Sequence, residues 1–256
     1  MSLIEEQQLF DNLLLYFAVV AALVFVTTFF ITAPYGRHER KGWGPSIPAR
    51  WAWVIMESPN VLIVGGLFYL GDRHSNPVAM VFLAMWMLHY IHRSYVYPFQ
   101  AQMSGKTMPL SVFFFAIVFT SFNAYLNGRY LFSFGPILDN SWFGDPRFLV
   151  GAALFAAGFV ANRQSDAVLR ALRKPGESGY KIPYGGLYRW VSCPNYLSEI
   201  VMWGGWAVAT WCWPAALFAV WTLANLAPRA HAHHQWYQQE FPDYPLQRKA
   251  LIPGLW

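Results

Sequence analysis

From Leu9 to Ala227 the chain alternates between long apolar runs and short polar links. The runs are Leu9–Ile31, Ala52–Leu70, Pro77–Tyr97, Pro109–Leu126, Phe148–Ala161, Tyr196–Thr210 and Pro214–Ala227. A helix rises about 1.5 Å per residue, so about 20 apolar residues cross the hydrocarbon layer of a bilayer. The first four runs reach roughly that length. The last three are shorter, and polar ends that line a cavity lengthen such helices without exposing charge to lipid. The pattern predicts an all-α membrane protein with seven transmembrane helices, forming one polytopic domain over residues 1–256. No internal repeat or low-complexity linker divides it.

Composition and charge add the orientation. Hydrophobic residues make up 56% of the chain and charged residues 12%, about half the charged share of a soluble domain. With seven spans, fourteen of the 18 Lys and Arg residues fall on the side that holds the polar segment 162–199 and the C-terminal tail. The positive-inside rule then places the N-terminus outside and the C-terminus in the cytoplasm. The net charge of +5 is therefore topological. No basic arm or aromatic–basic repeat accompanies it, which argues against nucleic acid as a partner. The first run opens on Glu5, Glu6 and Asp11 rather than on a basic region, so it reads as a transmembrane helix and not a cleavable signal. Cys193 and Cys212 fall at opposite membrane faces in this topology, so no disulfide and no metal set is expected. The expected location is a multi-pass integral membrane protein, of a bacterial inner membrane or of the endoplasmic reticulum.

Polar groups inside the spans need a reason, because lipid-facing charge is costly. The second run carries Glu57, and the third carries His89, Tyr90, His92 and Arg93, with Tyr97 at its end. At helical spacing Tyr90, Arg93 and Tyr97 share one stripe, and His89 and His92 share its neighbour. One reading is a structural Glu–Arg or Glu–His pair joining two helices. The other is a carboxyl–phenol pair that donates hydrogen bonds to a substrate carbonyl, since a carboxyl group withdrawn from water favours its protonated, donating form.

The segment NRQSDAVLRALRKPGESGYKIPYGGLYRWVSCPNYLSE, residues 162–199, is the longest polar stretch. Asn162 and Asp166 lie one turn apart, with Arg170 and Arg173 continuing that face. Pro175 and Gly176 end the helix there, and Gly185-Gly186 lets backbone approach a ligand closely. Ser192 or Asn195 is a candidate cap for the sixth helix, with Glu199 just inside it. The cations alone read better as a cytoplasmic face against anionic lipid. The interleaved amides, carboxylates and tyrosines are what point to a phosphate-bearing cofactor. In the tail, His231, His233, His234 and Tyr237 cluster within two turns, suited to hydrogen bonding of phosphate or ribose or to interfacial anchoring rather than to a metal. No GxGxxG, P-loop, HExxH or GxSxG string occurs, so a bound nucleotide lies among helices.

These strings, with LHYIHRSYVYP in the third run, APYGRH after the first, and RAHAHHQWYQQEFPDYPLQRKALIP in the tail, resemble the steroid 5α-reductase family. The resemblance covers nearly the whole chain and is strongest from Asn162 onward. It implies seven transmembrane helices around NADPH, the part from about residue 160 to 256 binding mostly cofactor. It also implies conjugate reduction of a 3-oxo-Δ4 steroid or similar lipid enone. Carried over by motif, Glu57 and Tyr90 polarise the 3-keto oxygen. Tyr35, Arg37, Arg93, Tyr97, Asn162, Asp166, Arg170, Arg173, Arg189, Asn195, Glu199, His233 and Tyr237 bind the cofactor. Met56, Ala232 and the Phe113-Phe114-Phe115 run depart from the family pattern; the last stands where a polar partner for the far end of a steroid is expected. Competing readings are a membrane methyltransferase using S-adenosylmethionine, a reductase of another lipid enone, and a lipid-binding scaffold without activity.

Overall fold

The computed structural model describes residues 2–31, 38, 42–173, 177 and 179–256. Among these, seven long helices succeed one another: α1 Leu3–Phe30, α2 Ala49–Leu70, α3 Pro77–Ile91, α4 Leu110–Arg129, α5 Pro146–Ala171, α6 Pro194–Thr210 and α7 Trp213–Glu240. Each corresponds to one apolar run. Three of them, α1, α2 and the stretch Leu110–Phe134, are long and apolar enough to cross a membrane. α5 and α7 extend well past their apolar runs, so their polar ends are helical too. α7 in particular carries the histidines of the tail to Glu240.

The described residues form two compact units: Met1–Val20, Ala33–Leu149 and Cys212–Ala215 in one, and Ala21–Thr32, Val150–Trp211 and Ala216–Trp256 in the other. In the first, α2 packs along α4. The Thr120 hydroxyl donates to the Met56 carbonyl (2.7 Å), and a Cβ at Gly128 would lie 3.0 Å from the Leu67 side chain. Two three-residue strands, β1 Ser46–Pro48 and β2 Thr107–Pro109, pair antiparallel, a departure from the all-helical expectation. Their role is local: neither α2 nor α4 has a side-chain N-cap. Instead the Ala49 N–H donates to Lys106 O and the Leu110 N–H to Pro45 O, both at 2.9 Å. Backbone from the ribbon thus satisfies orphan donors that a helix start leaves open. At the far ends, Arg73 gathers the carbonyls of Leu131, Ser133, Gly135 and Pro136, and Arg129 forks onto both oxygens of Glu6 at 2.7 Å.

In the second unit α5 and α6 run antiparallel at closest approach. Gly151 faces Ala209, and a Cβ at Gly158 would lie 2.6 Å from the Met202 amide nitrogen. Glycine here buys the proximity on which the site depends, because the next turn of α5 carries Asn162 towards α6. Gly158→Ala should destabilise the protein by about 1–3 kcal/mol through overpacking against backbone that has no rotamer to yield. Thermal unfolding in detergent measures this, and an unchanged midpoint would show that the helices can part. In α7, Pro228 has no N–H for the Ala224 carbonyl, and the Thr28 hydroxyl donates to that oxygen at 3.2 Å instead.

Candidate active site

Glu57 sits on α2, half-buried, and Tyr90 on α3, buried. The Asn60 amide donates to Glu57 Oε2 at 3.4 Å. The Trp86 indole N–H donates to the Asn60 main-chain carbonyl at 2.9 Å. The Trp86 ring in turn lies 4.8 Å from that of Tyr90, which also meets the His89 ring edge-on at 4.9 Å. The acid and the phenol are therefore tied to one Asn–Trp pair.

The stripe expected beyond Tyr90 is interrupted. The α-helix gives way at Ile91 to a π-turn, His92–Val96, in which the Tyr97 N–H reaches back to His92 O. Pro98 follows; it has no N–H to offer Ser94, and its ring crowds that carbonyl, so a widened turn relieves the clash. Within the π-turn, the Arg93 guanidinium lies 4.7 Å from the ring of Tyr97, which follows the turn, and 4.7 Å from that of Trp53. Phe113 is buried against Ala52, Met56 and Met108, whereas Phe114 and Phe115 are 59% and 72% exposed. Two of the three phenylalanines are thus exposed on the surface of this unit.

In the second unit Asn162 is buried, and its amide donates to the Asn195 carbonyl at 3.1 Å and to Glu199 Oε1 at 3.5 Å. Asp166, one turn on, is buried too. The Tyr196 hydroxyl accepts from Arg229 Nε (2.9 Å) and meets His233 Nε2 at 3.3 Å. Tyr237 stacks on Tyr244 at 5.2 Å. Arg173 donates to the Gly179 carbonyl at 3.2 Å. Buried polar atoms here without a hydrogen-bond partner among the described residues include Arg170 Nη1, the Tyr188 hydroxyl, and Arg248 Nε and Nη1. Burial pushes the Tyr188 phenol well above its ordinary value, helped by Cys193, Tyr237, Asp166 and Tyr196 around it. A set of buried donors lacking acceptors suits an anion.

The model for the 3-oxo-5-alpha-steroid 4-dehydrogenase family matches residues 106–256. Over 255 residues the chain is 41% identical to steroid 5-alpha-reductase DET2 of Gossypium hirsutum, covering 98% of this chain and 99% of that one. It is 41% identical over 254 residues to 3-oxo-5-alpha-steroid 4-dehydrogenase 1 of Bos taurus, covering 98% of each. With that of Macaca fascicularis it shares 44% over 226 residues, 86% of this chain and 84% of the other. This chain belongs to the 3-oxo-5-alpha-steroid 4-dehydrogenase family.

Against this family's expected site, Tyr35 and Arg37 lie outside the described residues, as do Pro175 and Gly176. Arg189 is exposed, its guanidinium 4.8 Å from the Trp190 ring; the residue of that turn facing the buried cluster is its neighbour Tyr188. Ser192 does not cap α6. Cys193 occupies the cap position without a side-chain bond, Pro194 starts the helix, and Asn195 lies inside it. A proline at the first position already dispenses with one orphan N–H, and the Ser192 hydroxyl is engaged elsewhere. Sequence reasoning also missed Asn60, Trp86, Tyr188 and Arg248. Arg248 stands in the quoted tail string, yet only its burial separates it from ordinary cytoplasmic charge.

Ser192 belongs to a network that ties the C-terminal segment of this family member to α7. Gln238 Nε2 donates to His234 Nε2 (3.0 Å), so the neutral ring carries its proton on Nδ1 and donates it to Ser192 Oγ at 2.6 Å. The Tyr244 hydroxyl lies 2.6 Å from the same oxygen, which also reaches Lys249 O at 3.2 Å. Burial lowers the His234 value, with His231 and Lys249 adding to the effect. A histidine whose folded value is depressed binds its proton more readily in the unfolded chain. Stability is therefore expected to fall as pH drops below about 6.5. Thermal midpoints of the wild type from pH 8 to pH 5 should decline along that slope, and the His234→Asn variant should show a shallower one. Equal slopes would remove His234 as the cause.

Proposed function

We propose that this protein reduces the Δ4 double bond of 3-oxo-Δ4 steroids with NADPH. In this reading it works as a seven-span membrane protein with its C-terminal end on the cytoplasmic side. The observation that supports the reading, in a chain of this family, is the Asn60–Trp86 contact, which touches Glu57 on one helix and Tyr90 on the next. Two proton-bearing groups on neighbouring helices share the Asn60–Trp86 contact. As the double bond of an enone is reduced, negative charge builds on the ketone oxygen. The Glu57 carboxyl and the Tyr90 phenol each donate a hydrogen bond to that oxygen, an oxyanion-type stabilisation. Tyr90 is buried and Glu57 half-buried, and exclusion of water from the occupied site strengthens each bond.

The buried donors of the second unit fit a phosphate-bearing cofactor: Arg170 and Arg248 present N–H groups that lack acceptors, and guanidinium groups match phosphate oxygens in pairs. Bound to the protein, NADPH supplies the hydride for the β-carbon. Asn162, Asp166, Arg170, Arg173, Asn195, Glu199, His233 and Tyr237 would hold it, joined by Arg93, Tyr97, Arg189, Tyr35 and Arg37. Tyr188 and Arg248 extend that set. Cations beside a 2′-phosphate select NADPH over NADH, with Arg37, Arg170 and Arg173 as the candidates. The α-carbon takes its proton from water or a nearby acid.

The test is incubation of purified protein with NADPH and a panel of 3-oxo-4-ene steroids, with products analysed by mass. The expected result is a product carrying two added hydrogens and loss of dihydronicotinamide absorbance in equal amount. No conversion of any enone in the panel would overturn the reading.

A further inference from the structure

We propose that Asn60 is the positioning residue that aligns both carbonyl donors, an inference resting on the reading of Glu57 and Tyr90 as the ketone-binding pair. Asn60 lies on α2 one turn beyond Glu57 and is 0% exposed. Its side chain and its backbone serve different partners. The amide Nδ2 donates to Glu57 Oε2 at 3.4 Å, a long bond of the kind that tightens when a site is occupied. Its carbonyl takes the Trp86 indole N–H at 2.9 Å, and the fully buried indole backs the Tyr90 ring at 4.8 Å. One residue therefore braces the acid directly and the phenol through a tryptophan.

The chemistry of a carboxyl group gives this bracing a consequence. A protonated carboxyl carries one O–H, on either oxygen. An amide N–H held against Oε2 makes that oxygen an acceptor, which places the acid proton on Oε1 and fixes the plane of the group. The donor is then presented in one direction. The local backbone is held as well: Pro59 interrupts the helix ladder, while Ser58 and Thr120 hydroxyls take the Val54 and Met56 carbonyls at 2.6 and 2.7 Å.

A structural role explains Asn60 poorly. Its Oδ1 is buried with no hydrogen-bond partner among the described residues, and an unsatisfied buried acceptor costs about 1–3 kcal/mol. A leucine of similar volume would fill the same space without that cost. Stability alone disfavours asparagine here, whereas alignment of Glu57 requires its N–H.

The test is a double-variant cycle on full-length protein with NADPH and a 3-oxo-4-ene steroid that it turns over. Asn60→Leu is expected to lower kcat on the order of ten- to hundredfold, leaving the NADPH dissociation constant unchanged. In the Glu57→Ala background, which removes the group that Asn60 holds, the same substitution should lower kcat less than twofold, because its effect passes through Glu57. Equal losses in both backgrounds, or no loss in either, overturn the proposal while leaving Glu57 in its role. Full turnover by Glu57→Gln alone overturns the underlying reading and this proposal with it. Should Asn60→Leu fail to bind NADPH, Asn60→Ser, which keeps a donor on a shorter arm, is read in the same cycle. Additive loss by that variant overturns the proposal equally.

Discussion

Glu57→Gln should lower kcat for a 3-oxo-4-ene steroid by about 10²–10³ while leaving NADPH affinity within about twofold. The magnitude is that of removing one donor aimed at developing oxyanion charge, about 3–4 kcal/mol. Glutamine keeps the shape of the side chain and an N–H donor. It loses the acidic O–H, which is the stronger donor as charge accumulates. Binding of the ground-state ketone changes little, because the bond strengthens chiefly in the transition state, so the loss belongs in kcat rather than KM. The Asn60 contact at 3.4 Å survives the substitution, since the glutamine carbonyl oxygen still accepts. Steady-state kinetics with a single steroid, alongside NADPH titration by tryptophan fluorescence, measures both halves. Normal turnover would remove Glu57 from the chemistry, and weakened NADPH binding would assign it to the cofactor instead.

Arg248→Ala should raise the NADPH dissociation constant about 10- to 150-fold, with a smaller effect on NADH. Arg248 is 2% exposed, and its guanidinium lies between the Tyr184 and Tyr244 rings at 4.8 and 5.3 Å. The Tyr244 phenol takes a hydrogen bond from it, while Nε and Nη1 are without partners among the described residues. A buried cation is tolerated when an anion compensates it. Phosphate does so with charge-assisted bonds of about 1.5–3 kcal/mol, which is the stated range of affinity. Arg248→Lys should recover part of the loss, keeping charge without the fork. Titration of the detergent-purified variants with NADPH and NADH decides the matter. Equal affinities for wild type and alanine variant would leave Arg248 as packing between two tyrosines.

Much of this protein was legible from residue order. Seven apolar runs became seven long helices among the described residues, because a helix satisfies its own backbone hydrogen bonds and long apolar runs favour that arrangement. Asn162 and Asp166, read as one face of a helix end, are indeed both buried on α5, because a helical period is a local property. What periodicity could not show was the π-turn after Ile91. It depends on the conflict between Pro98 and a carbonyl one turn earlier, and it resets the register on which Tyr97 had been placed. The ribbon between β1 and β2 was equally hidden, since three-residue strands leave no periodic trace.

The number of long helices, the polar strip and the family likeness were thus available from the chain itself, being local or compositional. Only the folded arrangement decided which members of that strip are buried. It separated Tyr188 from exposed Arg189, turned Ser192 from a helix cap into a partner of His234, and set Arg248 apart from the surface cations. It also joined Asn60 and Trp86 to Glu57 and Tyr90. Each of those outcomes depends on side chains brought together from distant positions, and burial of a charge or an amide is a property of its neighbours, not of its own place in the chain.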